Sequence, residues 1–108
     1  MFVDQEGPDP NFSADAAVAG GQVVVTVTGE VDMATAETMH QVAMKDSAPA
    51  AVVDLRAVTF FDSAAIHALL KIVEHYGAGL RVLPSAQVRR VLEIAGLSTQ
   101  PWLGGVSD

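Results

Sequence analysis

Between Gln22 and Gly29 apolar and polar positions alternate. Val23, Val25 and Val27 fall on one face and Val24, Thr26 and Thr28 on the other, the period of two expected of a strand. Phe12 to Val18, less regular because of Ala14, Ala16 and Ala17, predicts a strand before it, and Gly20-Gly21 predicts a hairpin turn between them. From Met33 to about Asp46 the period becomes helical, with Ala36, Met39, His40 and Ala43 on one face. Asp32 is the expected N-cap, Glu37 stands near the positive end of this helix, and Pro49 closes the segment. Ala51 to Leu55 is a short apolar run, the mark of a buried strand. Ile66, Leu69, Leu70 and Val73 then predict a helix beginning near Ser63 and stopping before Gly77 and Gly79. Burying those four side chains contributes about 1.5–3 kcal/mol each before entropy is counted. Leu80 to Leu83 reads as another strand. Pro84-Ser85 opens a third helix carrying Val88, Val91, Leu92 and Ala95, with Gly96 as its C′ residue.

The resulting order, β-β-α-β-α-β-α, places helices between successive strands, so those connections are crossovers and their strands parallel. The expected fold is α/β: a mixed sheet with helices packed largely on one side. With 108 residues, half of them hydrophobic, the chain matches one domain with one core. Residues 1–11, with Asp4, Glu6, Asp9, Pro8 and Pro10, read as a flexible acidic N-terminal tail, leaving 12–108 as the domain. The net charge of -7 argues against direct binding to nucleic acid or anionic lipid, both of which call for a cationic face. Without cysteine there is no disulfide scaffold, thiolate metal site or cysteine nucleophile. No run spans a membrane, and Met1 to Glu6 lack the basic start and apolar core of a secretory signal, so a soluble cytoplasmic domain is expected.

Polar groups gather at Gly29-Glu30-Val31-Asp32 and at Phe61-Asp62-Ser63, each at the end of a strand and before a helix. In open α/β sheets that edge is where ligands and partners meet the fold. A serine at a helix N-terminus caps the first amides, a contribution of about 1 kcal/mol. Phosphorylated, it would carry about -1.5 to -2 charges where amides and dipole favour them.

Three segments resemble the STAS domain of bacterial anti-sigma factor antagonists. The first is Gly29-Glu30-Val31-Asp32 with Thr35-Ala36-Glu37. The second runs from Val53-Asp54-Leu55 to Phe61-Asp62-Ser63. The third runs from Leu83-Pro84-Ser85 through Arg90-Val91-Leu92 to Ala95-Gly96-Leu97. The resemblance implies a sheet of four to five strands with three to four helices, the last short or absent here. It implies a binding protein rather than an enzyme, with no cofactor. Its partner would be an anti-sigma factor with serine kinase activity, which releases its sigma factor on binding and then phosphorylates the antagonist. A PP2C-type phosphatase would reverse the modification. By position, Ser63 is the phosphoacceptor, and the partner-facing set is Gly29, Glu30, Asp32, Thr35, Asp62, Ser63, Ala64, Ala65 and His67.

The chain departs from the family pattern where a second serine and a glycine are usual: it has Ala64 and Ala65, and His67 replaces a small residue one turn on. Alanine for glycine predicts a firmer helix start and a bulkier surface. An alternative is therefore a phosphorylation-independent interaction module. A hydrolase built on Ser63 and His67 lacks the Gly-x-Ser-x-Gly elbow and an identifiable oxyanion loop. His40, His67 and His75 lack metal-ligand spacing, so no metal site is expected. The exposed strand near 12–18 is a candidate for homo-oligomer formation.

Overall fold

A computed structural model describes residues 11–104; the acidic tail expected at 1–11 lies outside that range except for Asn11. Strands β1 (Phe12–Ala19) and β2 (Gln22–Val31) form an antiparallel hairpin. Its turn residues Gly20 and Gly21 have φ of 60° and 81°, the left-handed pair that a two-residue hairpin turn requires. Helix α1 (Ala36–Met44) crosses to β3 (Ala50–Phe61), parallel to β2. Helix α2 (Ser63–Tyr76) and a 3-10 turn at Gly77–Gly79 lead to β4 (Leu80–Pro84), parallel to β3, and α3 (Ala86–Ile94) follows. The sheet order is β1-β2-β3-β4.

One sheet face is sealed. Val23, Val25, Val27, Ala51, Val53, Leu55, Leu80 and Val82 are buried on it and share one core with residues from all three helices. The alternate positions Val24, Thr26, Val52, Asp54 and Arg81 are half-buried or exposed. The helices therefore lie on one side, as right-handed crossovers between successive parallel strands require.

The structure alters four local expectations. First, β3 runs on from Leu55 to Phe61 instead of ending at Leu55. Two register shifts, between Thr26 and Thr28 and between Gly29 and Glu30 of β2, each place an extra residue in β3. Its buried residues then come at Leu55, Val58 and Phe61, every third position, which hides the strand from a period-two reading. Second, α1 starts at Ala36, and Thr35 rather than Asp32 is its cap residue. Third, α2 is rotated from the predicted stripe. Ala65, Ala68, Leu69, Ile72 and Tyr76 are buried, whereas Ile66 and Val73 are half-buried and Leu70 is exposed. The buried face thus combines the small residues Ala65 and Ala68 with the large Leu69, Ile72 and Tyr76. Fourth, Ala95 of the predicted α3 stripe is exposed, leaving Val88 and Leu92 as its buried anchors.

The end of α3 follows expectation. Gly96 has φ of 80°, its amide donates to Glu93 O at 3.0 Å, and the Leu97 amide donates to Leu92 O at 2.8 Å. This is a Schellman close with glycine at C′. No further helix follows among the described residues; instead the chain returns along β4. The Val82 amide donates to Trp102 O at 2.8 Å, the Gly104 amide donates to Val82 O at 2.6 Å, and Trp102 is buried.

Candidate functional site

The two polar segments meet because β2 and β3 are parallel neighbours that end together. Val31 pairs with Phe61, and the Asp62 amide donates to Val31 O at 3.4 Å. The β3 bulges set this alignment: without the two extra residues, Asp62 and Ser63 would stand elsewhere relative to Asp32. Val31 and Phe61 are buried and anchor both strand ends in the core.

The turn after β2 is held from within. The Asp32 carboxylate accepts the Ala34 amide at 2.9 Å, and the Asp32 carbonyl accepts the amides of Thr35 and Ala36 at 3.1 and 2.8 Å. The Thr35 hydroxyl accepts the Asp32 amide at 3.0 Å and donates to Glu30 O at 2.9 Å. Thr35 is buried, so it shapes this surface rather than presenting a group on it. Gly29 has φ of 87°, and a Cβ there would collide with the Asn11 carbonyl. That same carbonyl accepts the Glu30 amide at 2.7 Å, which ties the start of β1 beside the site.

At the start of α2, Asp62 rather than Ser63 is the N-cap. Its carboxylate accepts the Ala65 amide at 3.0 Å. Ser63 is the first helical residue, exposed, and its hydroxyl makes no hydrogen bond among the described residues. The Ser63 and Ala64 amides belong to the first turn and have no intrahelical acceptor. Ala65 is fully buried, so its Cβ fills the core and does not thicken the surface; the bulk expected there is confined to half-buried Ala64. His67 is exposed one turn along, and no hydrogen bond joins it to Ser63 among the described residues. The accessible set is thus Glu30, Asp32, Asp62, Ser63, Ala64 and His67, with Gly29 half-buried below them.

Sequence reasoning missed Met33. It is 83% exposed in the Asp32–Thr35 turn and was read only as the first residue of a helix. Phe60, 45% exposed and paired with Glu30, was also missed. The available signal was a large apolar residue flanking each polar segment, but a single apolar residue at a helix or strand boundary is read by default as core.

The remaining histidines are spread out. His40 lies 3.5 Å from Glu37 on α1, and His75 packs edge-on against Tyr76 with ring centroids 4.6 Å apart. No three histidine or acidic side chains converge as metal ligands among the described residues. No described helix is long and apolar enough to cross a membrane.

Residues 13–104 match the STAS domain family model. This chain belongs to the STAS domain family. It is similar over 93% of its length to 92% of an anti-sigma factor antagonist from Mycobacterium paratuberculosis, at 32% identity and a TM-score of 0.78. The STAS fold is shared with the anti-sigma factor antagonist SpoIIAA in its unphosphorylated form, at 24% identity and a TM-score of 0.66, over 90% of this chain and 89% of that one. The phosphorylated form of Bacillus SpoIIAA aligns at 23% identity and a TM-score of 0.61, over 90% and 92% of the two chains. Comparison with curated proteins gave no match.

Proposed function

We propose that this STAS domain is an anti-sigma factor antagonist, a binding module switched by phosphorylation of Ser63. It engages an anti-sigma factor at the end of β2 and β3 and thereby frees the sigma factor. The partner's serine kinase activity then transfers the γ-phosphoryl group of ATP to Ser63 Oγ, the hydroxyl proton passes to a base on the kinase, and ADP leaves. A PP2C-type phosphatase hydrolyses the ester and restores the antagonist.

The observation that carries this reading is the division of labour at the start of α2. Asp62 holds the helix cap, so the Ser63 hydroxyl is exposed and unengaged among the described residues. A serine needed for the cap would trade fold stability for modification; this one does not. Phosphate at the first helical position meets the amides of the first turn and the positive end of the dipole, so the fold tolerates it. Outside, it adds about two negative charges and considerable bulk where a partner packs against a bare hydroxyl. The buried Ala65 supports the same reading, because the substitution of the family's glycine leaves the approach to Ser63 uncrowded.

Glu30, Asp32 and Asp62 suit a partner with a basic docking surface, and exposed Met33 offers an apolar anchor. The test is affinity for the purified anti-sigma factor. Ser63→Asp is expected to weaken binding more than ten-fold, about 1.4 kcal/mol, while Ser63→Ala binds like wild type. Equal affinity of all three proteins would favour the phosphorylation-independent module.

A further inference from the structure

The sheet has two edges, and the chain treats them differently. The β4 edge is covered by the return of Trp102 to Gly104 along Val82. No described segment pairs with the outer side of β1. Across the two-residue turn Ala19 pairs with Gln22, so Ala19, Ala17, Asp15 and Ser13 aim their amides and carbonyls at β2. The Glu30–Asn11 hydrogen bond shows the same parity at the far end. Ala14, Ala16 and Val18 therefore present their backbone groups outward.

Natural edges are blunted by lysine, proline or a bulge. Phe12–Ala19 contains no lysine, arginine or proline, and it pairs with β2 over eight consecutive positions without a register shift. Asp15 is its one charged residue, and Val18 is 58% exposed.

We propose that β1 is a self-association edge: two copies of this chain pair β1 against β1, antiparallel, with Ala16 facing Ala16 of the second copy. The occupant is a second copy because, of the two registers that pair nearly the whole strand with itself, one keeps like charges apart. Backbone parity requires even-numbered residues to meet even-numbered residues. Placing Asp15 opposite Asp15 would bring two carboxylates together on adjacent chains at the close spacing of a non-hydrogen-bonded pair. Moving the two-fold axis by one residue sets Asp15 against Ala17 and keeps the outward backbone groups paired. Ala14 then faces Val18 of the second copy, which covers its exposed side chain, and Phe12 faces Gly20, where no side chain obstructs it. Paired residues point to the same side, so the helices of both copies lie on one face of a single joined sheet.

The test is the mass in solution of the full chain by sedimentation or light scattering. Wild type is expected at twice the 11.3 kDa of one chain. Ala16→Pro removes an outward amide without touching the ladder to β2 and is expected to be a monomer with an unchanged circular dichroism spectrum. Val18→Lys, at an exposed position, is expected to be a monomer too and serves if the proline variant misfolds. Because the chain has no cysteine, Ala16→Cys should oxidise to a linked dimer in native buffer and lose that advantage in urea. A wild-type monomer at the highest attainable concentration would overturn the proposal. So would a dimer that survives both edge variants, which places the contact elsewhere, or an Ala16→Cys variant that links no faster when native.

Discussion

Asp62 and Ser63 are adjacent at the start of α2, and only the first is tied into the helix. Asp62 closes the first turn of α2 through the Ala65 amide, and Ser63 stands exposed beside it. Asp62→Ala should therefore lower the unfolding free energy by about 0.5–2 kcal/mol, the usual range for a lost N-cap. Ser63→Ala should stay within about 0.5 kcal/mol, as for an ordinary surface change. Denaturant titration of both variants checks this, and the reverse order would make Ser63 the cap. The pair was legible in the sequence as a helix start, because polar residues followed by a helical stripe mark one. Which residue caps was not legible, since aspartate and serine are equally good caps and only backbone geometry chooses. The same limit concealed Ala65. Its burial follows from the rotation of α2 against the sheet, set by small residues at 65 and 68 that a search for large apolar side chains passes over.

Among the elements, β3 departs most from its sequence pattern. Its bulges break the alternation that betrayed β2, and they bring the ends of the two strands together. Asp54 sits before the first bulge and grips it. Its carboxylate accepts the Arg56 amide at 3.0 Å and a bidentate pair from the Arg56 guanidinium at 3.0 and 2.9 Å. The side-chain hydrogen bonds from Arg56 hold the Asp54 carboxyl below its ordinary value against the opposing effect of partial burial. A carboxylate with a depressed folded-state pKa contributes stability above its unfolded value, which is lost as pH falls through the folded one. Wild type should thus lose stability as pH drops below about 4, and Asp54→Asn should show a shallower loss there. Unfolding followed from neutral to acid pH decides it; identical slopes would remove Asp54 from the account.

Helices α1 and α2 are joined by another buried group: the Tyr76 hydroxyl donates to Ala43 O at 2.6 Å. Tyr76→Phe leaves that carbonyl unpaired and should cost about 1–3 kcal/mol. Burial, with the charge of Asp46, raises the tyrosine pKa, so its contribution is intact below the unfolded value near 10 and fades as pH rises above it. The phenylalanine variant should lack that alkaline decline, which a melting series at high pH would reveal.

For the whole molecule, topology was the most legible feature. Strand and helix order, the hairpin, the parallel crossovers and the single packed face follow from periodicity, glycine placement and chirality. The C-terminal return along β4 was not legible, because Gln100 to Gly104 has no repeating pattern and is held by backbone bonds and one buried indole. The acidic balance of the chain, net -7, belongs to this scale as well. If the partner's docking surface is basic, its association rate should fall as salt rises while the dissociation rate changes far less. Stopped-flow binding across a salt series measures both; a salt-independent association rate would point to an apolar interface centred on Met33.

Site-mapped mass spectrometry decides whether Ser63 accepts phosphate. Wild type and Ser63→Ala are incubated with ATP and lysate of the source cells beside a control antagonist. The expected result is one added phosphate on wild type, located at Ser63, and none on the alanine variant. An unmodified wild type under conditions that modify the control, or a phosphate that persists in Ser63→Ala, would rule out Ser63 as the acceptor.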